Sequence, residues 1–427
     1  MGNRNQSKQA WMAFSAICLM SVMWTGIQWN CMNLYAAPVV EEMGITRTQF
    51  MLVLTIPSFI SAAVSLTCFG TIEQRWGLRR MLLVGGVLNT LAFVCWTLMH
   101  SSLMLYVGGT LYGMGASVTA FNSINAGVNR WFKQKMGSLV GVANTLGNLA
   151  GIGFALVIAA LIAWVGWRYS FAICVVLSAI STVVCVVLYK GNPEDVGVPA
   201  MYADAAAAGA AEGMAAGSAK ASDDAACEMA PSGVPFRRAL RSPRLWIMML
   251  CYFLLAFTTY GLMSTLPLFM VDQGFAQMQG QAVSISLLSS AVMLVPLGAL
   301  CDRLGTKWGI ALCCLLMMVA AFMLRISSLP LLVMLILAAI VGAAYSACAI
   351  TVGVGVKQAF GDVDFSKKLG LCSGCLYVGL AAGPALTNLA YDTTGTYGMI
   401  LAGFVALGLL DAVLYFAAVH GLKGLAS

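Results

Sequence analysis

Runs of about 20 apolar residues, separated by short polar knots, recur along the chain from Trp11 almost to its end. Each run is long enough to cross about 30 Å of hydrocarbon as a helix, and none shows the strict alternation of a barrel strand. The pattern predicts twelve helices, near residues 11–37, 48–71, 79–99, 103–128, 136–163, 167–190, 243–271, 280–301, 308–327, 330–355, 368–390 and 396–419. We refer to them as spans 1 to 12. The first lies behind a short polar head and is too long for a signal-peptide core, so it reads as a retained span. Between spans 6 and 7, residues 200–233 are rich in Ala, Gly and Ser and carry Asp204, Glu212, Asp223, Asp224 and Glu228. Such a stretch has too little apolar surface to order itself and predicts a flexible linker. The expected organisation is an N-terminal six-helix bundle (1–190), a linker (191–242) and a C-terminal six-helix bundle (243–427).

Composition agrees: the chain is 60% hydrophobic and 9% charged, against roughly 25% charged for a soluble domain. Charge placement sets the orientation. All 23 Lys and Arg except Arg47, Arg168 and Arg325 fall on the side of the two termini, which by the positive-inside rule makes both termini cytoplasmic. The net charge of +7 then reports topology and gives no reason to expect nucleic acid. The expected location is the plasma membrane, and the expected state is a monomer. Nearly all of the 14 cysteines lie inside apolar runs, where Cys is a small packing residue. Cys372 and Cys375 form a C-x-x-C pair without a second pair, and His100 and His420 stand at opposite helix ends, so neither a metal nor a cofactor is expected.

The polar knots repeat. Gly70-Thr-Ile-Glu-Gln-Arg-Trp-Gly-Leu-Arg79 and Gly298-Ala-Leu-Cys-Asp-Arg-Leu-Gly-Thr-Lys307 stand 228 positions apart, each after the second span of its half. The same shift aligns Gly70 with Gly298, Arg75 with Arg303, Gly77 with Gly305, Arg79 with Lys307 and Phe132 with Phe360. Two halves on one plan, each supplying a wall of a midplane site, is a transporter arrangement. The expected fold is therefore an all-α membrane protein with twelve transmembrane helices in two pseudo-symmetric six-helix bundles. Gly-x-x-x-Asp-Arg-x-Gly-x-Lys at Gly298–Lys307 resembles the signature of the major facilitator superfamily. That resemblance implies alternating access and an inter-bundle latch drawn from Gly70, Glu73, Arg75, Gly77, Arg79, Gly298, Asp302, Arg303, Gly305 and Lys307. The first copy departs at one place: Gln74 stands where Asp302 stands, with Glu73 one residue earlier.

Further segments are similar to the oxalate/formate antiporter and monocarboxylate porter branch. They are Asn129-Arg-Trp-Phe-Lys-Gln-Lys-Met-Gly137, Trp167-Arg-Tyr-Ser-Phe171, Asn192-Pro-Glu-Asp-Val-Gly197 and Tyr391-Asp-Thr-Thr-Gly-Thr-Tyr397. The resemblance implies a small carboxylate or other organic anion, moved by antiport or proton symport with a proton or counter-substrate as partner. The branch typically places a basic residue in the cavity, whereas no Lys or Arg here falls at mid-span. A neutral or amphipathic solute is the open alternative. Counting about 1.5 Å per residue from each helix end, the middle depth holds Trp24, Thr25, Gln28, Asn144, Asn148, Thr259, Tyr260, Tyr345 and Tyr377. Of these, Trp24, Gln28, Asn144, Asn148, Tyr260, Tyr345 and Tyr377 are the candidate substrate contacts. Asp411 on span 12 is the candidate for proton coupling. An enzyme is not expected, because clustered intramembrane Asp, Glu or His is missing and no phosphate-binding Gly-rich loop is present. Membrane lipid is the remaining expected partner.

Overall fold

The computed structural model of the chain describes residues 2–45, 47–132, 134–191, 193, 233–275, 278–326, 329–394 and 396–420. The expected linker 200–232 and most of the motif at 192–197 lie outside the described residues. Within them the chain is helical and forms no strand, and Gly233 and Gly361 make an isolated bridge. Nine helical stretches are long and apolar enough to cross a membrane. Two of these, Thr55–Thr97 with 43 residues and Met136–Leu188 with 53, are far too long for one crossing. Each is divided by a glycine at positive φ, Gly77 (φ 75°, ψ 157°) and Gly166 (φ 82°, ψ 166°). Such angles exclude residues with a Cβ and reverse the helix direction. Span 4 is built from Ser102–Thr119 and Phe121–Trp131. The helical pieces are thus consistent with twelve crossings in two sets of six.

The repeat has a conformational counterpart. Gly305, 228 positions after Gly77, separates Gln279–Leu304 from Thr306–Met323 with nearly the same angles (φ 91°, ψ 156°). The first glycine of each motif makes no turn. Gly70 opens the helix Gly70–Thr97 at φ −66°, and Gly298 lies inside Gln279–Leu304. Both are needed for close approach: a Cβ on Gly70 would meet the backbone of Lys367, and one on Gly298 the carbonyl of Gly137.

Between apolar helices in lipid there is little hydrophobic driving force, so association depends on backbones fitting closely. The four-spaced glycines supply that fit. Gly113 packs on Pro57, Gly147 and Gly151 on span 1 at Ser21, Gly26 and Asn30, and Gly379 and Gly383 on the backbone of span 7 at Phe253 and Phe257. Between the halves, Gly137 and Gly141 pack on span 8 at Gly298 and Leu294, while Gly370 and Gly374 pack on span 2 at Ser65 and Ala62. Spans 5 and 8 form one seam and spans 2 and 11 the other. On the outer surface, large apolar side chains such as Leu156, Trp164 and Val292 are more than half exposed, as a lipid-facing wall requires.

Three irregularities interrupt the spans near their middles. Span 1 widens to a π-helix over Ser21–Trp29, span 4 breaks at Ala120 (φ −85°, ψ −132°), and span 10 breaks at Ser346 between Leu331–Tyr345 and Ala347–Phe360. Inside a membrane a broken helix must find partners for the freed backbone groups. At Ala120 the Asn122 amide donates to the Ser117 carbonyl at 3.1 Å and the Ser123 hydroxyl donates to the Val118 carbonyl.

Candidate functional site

The irregular segments carry the aromatic residues that meet between the halves. Tyr260 of span 7 lies with its ring centroid 5.6 Å from Tyr345 of span 10 and 6.5 Å from Trp29 at the end of the π-helical segment. Phe121, the first residue after the break in span 4, lies 6.3 Å from Tyr377 of span 11. Tyr112 of span 4 is an electrostatic neighbour of both Tyr377 and Tyr260, and Tyr345 is one of Tyr260 and Tyr377. Spans 1, 4, 7, 10 and 11 therefore contribute to one aromatic group with no ionic side chain in it. The Tyr377 hydroxyl of this group and the indole N–H of Trp24, on the π-helical segment of span 1, are both buried without a hydrogen-bond partner. So are the side-chain oxygens of Gln28, Asn122 and Asn125.

Of the residues expected from the sequence, Tyr260, Tyr345 and Tyr377 come together. Gln28 is buried but donates to the Asn89 carbonyl of span 3 at 3.5 Å. Asn144 bonds back to the Val140 carbonyl at 2.8 Å, and Asn148 is half-buried one turn on. The hydrogen bonds of the Gln28 and Asn144 amides run to backbone carbonyls and not to the tyrosines. Thr259 donates to the Leu255 carbonyl and meets the Cys348 sulfur at 3.5 Å, and Thr25 is buried on the π-helical segment. Asp411 is 1% exposed and packs behind the group, with its Oδ2 accepting from Cys314 at 3.5 Å and its Oδ1 unpartnered. Tyr112, Trp29 and Phe121 escaped the sequence reading. Tyr112 sits inside a glycine stripe that reads as packing, and the break that turns Phe121 inward has no Gly or Pro to announce it.

The latch residues fall into two sets at the two seams. At spans 5 and 8, the Asp302 carboxylate accepts from the backbone N–H groups of Gly137 and Ser138 and from the Ser138 hydroxyl, each at 2.8 Å. A carboxylate on the first turn of span 5 satisfies orphan N–H donors and meets the positive end of the helix dipole. At spans 2 and 11 no acid reaches across from span 2 to do this. Gln74 instead donates its amide to Asp364 Oδ1 at 2.9 Å, and Asp364 stands immediately before the helix Phe365–Thr394. Asp364 Oδ2 accepts from the Phe236 N–H at 3.1 Å. The Gln74 hydrogen bond, followed by the Phe236 N–H and the Lys367 charge, holds the Asp364 carboxyl below its ordinary range. Asn129 adds a second bond across the halves, donating to Asp362 at 3.1 Å.

Glu73 does not cross the seam. It is buried and paired with Arg130 of its own half. In the second half the equivalent positions hold Cys301 and Gln358, and the Gln358 amide donates to the Cys301 carbonyl at 3.0 Å. Arg79 donates to the Val186 carbonyl at 3.1 Å, while Arg75 and Arg303 are exposed and Lys307 is half-buried. Arg168, at the opposite end of the molecule, pairs with Glu42 at 3.1 Å and stacks over Trp167.

A multi-pass helical protein with two repeated halves, sealed by matching helix-end seams around an uncharged aromatic group, is a membrane transporter in architecture. The chain matches the Major Facilitator Superfamily profile over residues 13–287 and 276–425, and it belongs to that superfamily. Its fold is similar to the crystal structure of the human organic anion transporter MFSD10 (TETRAN), with a TM-score of 0.65. The match is 16% identical and covers 96% of this chain and 99% of that one. No curated protein sequence matches the chain. Membership implies transport of a small solute rather than covalent chemistry.

Proposed function

We propose that the protein is a secondary transporter for a small carboxylate or related organic anion, working by alternating access in the plasma membrane with both termini cytoplasmic. The N-terminal bundle (1–190) and C-terminal bundle (243–427) rock as units joined by the linker 191–242, and the monomer is the working form. In this reading both seams lie at the cytoplasmic end, and the conformation described has its cytoplasmic gate closed. The single observation that carries the substrate class is the pair of buried donors without partners, the Tyr377 hydroxyl and the Trp24 indole N–H. A buried donor left unpaired costs about 1–3 kcal/mol, and a carboxylate oxygen would satisfy it. The aromatic faces of Tyr112, Tyr260 and Tyr345 cover the carbon part of the solute. The branch-like motifs at Asn129–Gly137, Trp167–Phe171 and Tyr391–Tyr397 support the same assignment, with antiport or proton symport as the mode.

A neutral or amphipathic solute is the second reading, favoured by the unpartnered acceptors on Gln28, Asn122 and Asn125. These suit a hydroxyl or amide donor. Counterflow in proteoliposomes across carboxylates, sugars, amino acids and amphipathic drugs separates the two. Exchange of a neutral compound with no carboxylate exchanged would overturn the first. Proton coupling is assigned to Asp411; uptake that is insensitive to an imposed pH gradient would remove that role.

A further inference from the structure

Just before span 7, the short helix Phe236–Arg241 is mounted firmly on the closed end of the molecule. Its Ala239 is fully buried, its first N–H is bound to Asp364, and the carbonyl of Val234 accepts from the buried Lys368 at 3.1 Å. The opposite side of this helix is strongly basic: Arg237, Arg238 and Arg241 are all exposed. Spacings of four and three bring Arg237 and Arg238 beside Arg241. Arg244 follows on the first turn of span 7, and its Nη1 is buried without a hydrogen-bond partner. None of the four forms an ion pair among the described residues.

Below the arginines the surface becomes apolar. Trp246 is 57% exposed and Leu250, one turn further along span 7, is 46% exposed. The Trp246 indole donates to the Leu240 carbonyl at 3.0 Å, which ties the basic helix to the span. Arg75 and Arg303 also face outward at this end, as solitary charges of the kind that merely orient a span. Here three guanidinium groups share the outer side of one short helix, a fourth follows on the first turn of span 7, and an exposed apolar strip continues along that span; that combination has a definite complement.

We propose that this face binds an anionic phospholipid, with its phosphate on the Arg237–Arg238–Arg241–Arg244 cluster and an acyl chain along Trp246 and Leu250. The cytoplasmic leaflet supplies such lipids and attracts juxtamembrane basic clusters. A free phosphate ion would use the arginines but leave the apolar strip idle. Because the same helix donates to Asp364, which Gln74 holds from the other half, lipid occupancy steadies the seam between spans 2 and 11. The site is independent of the solute carried.

The test is native mass spectrometry of the full-length protein in mild detergent, with phosphatidylglycerol or phosphatidylcholine of matched acyl chains. Phosphatidylglycerol should be retained preferentially, and Arg237→Gln, Arg238→Gln and Arg241→Gln should each reduce that retention by about fivefold. Melting of each variant in lipid-free detergent serves as the folding control. If any of these variants does not fold, Arg244→Gln is titrated with phosphatidylglycerol instead, and its melting shift should be smaller than the parent's. Equal retention of the two lipids overturns the site. So does a melting shift from inorganic phosphate as large as that from phosphatidylglycerol. Loss of stability in lipid-free detergent on neutralising Asp223, Asp224 and Glu228 would show that the acidic linker occupies the arginines instead, and would also overturn it.

Discussion

The two seams close the same end of the molecule with opposite chemistry. At spans 5 and 8 an acid, Asp302, reaches across and accepts from the first turn of span 5. At spans 2 and 11 the acid stands on the other side: Asp364 precedes span 11, and the neutral Gln74 reaches across as donor. Lys135 and Asp364 occupy matching positions before their helices, both in the left-handed region at φ 57° and 49°. A carboxylate is thus kept at each helix start, but it has changed partners. The Glu73–Arg130 pair shows the same exchange, since its counterparts Cys301 and Gln358 are neutral. Pseudo-symmetry preserves the position of a bond and leaves its polarity free.

The difference can be broken most severely where both halves share a backbone contact. Gly298→Leu places a side chain against the Gly137 carbonyl. Overpacking of this kind costs about 1–3 kcal/mol in a core, and in the alternating-access reading proposed above the strain falls on the closed state alone. Counterflow should drop more than about tenfold while melting in detergent changes little, because the halves can relieve the clash by parting. A large fall in melting temperature instead would mean that the contact belongs to the fold and not to the gate.

Asp302→Asn comes next. It removes the charge that accepts three hydrogen bonds at the start of span 5 and leaves one amide oxygen. The loss is about 2 kcal/mol, enough to shift an open–closed equilibrium about thirtyfold. Hydrogen exchange of the amides at 137–142 should accelerate, with those at 366–372 less affected. Equal acceleration at both seams would show that the gate acts as one cooperative unit.

How much of this was legible in the sequence depends on the kind of residue. Gly77 and Gly305 could be read directly, because positive φ leaves few alternatives and the shift of 228 positions repeats them. In sequence Gly70 and Gly298 look like two more turn residues, and only the tertiary contact shows that they admit a neighbouring backbone. Asp364 was invisible as a latch residue. It reads as one more loop acid until span 2 is laid beside it. The central group was half legible, since depth counting locates Tyr260, Tyr345 and Tyr377 on their spans. It cannot foresee the break at Ala120, which depends on Asn122 and Ser123 capping the carbonyls one turn back. Nor does depth counting give the direction of a side chain, which is why Gln28 turns out to bond span 3.

A charge introduced at the seam of spans 2 and 11 sharpens the comparison at smaller cost. Gln74→Asp restores the residue type of the second motif, yet it would face the Asp364 carboxylate, where Gln74 now donates at 2.9 Å. Repulsion at this exposed place is worth about 1 kcal/mol. Exchange at 366–372 should rise by about fivefold, and adding Asp364→Asn should return it close to the parent, because the donor and acceptor have then traded sides. Failure of the second substitution to restore protection would mean that Asp364 acts chiefly through Phe236 and not through Gln74.

The smallest effect concerns pH. Asp364 is held below its ordinary carboxyl value of 3.8, first by the Gln74 hydrogen bond and then by the Phe236 N–H and Lys367. A carboxyl with a lowered folded value contributes stability that is complete above the ordinary value and lost only as the pH falls through the lowered one. Between pH 6.5 and 5 the contribution of Asp364 is therefore constant. Exchange at 366–372, corrected for the intrinsic pH dependence of amide exchange, should be flat across that range in the parent. It should also stay flat in Gln74→Leu, where protection is lower throughout. A slope between pH 6.5 and 5 in the parent alone would mean that a group other than Asp364 titrates there, and the Asp364–Gln74 bond would no longer account for closure of this seam.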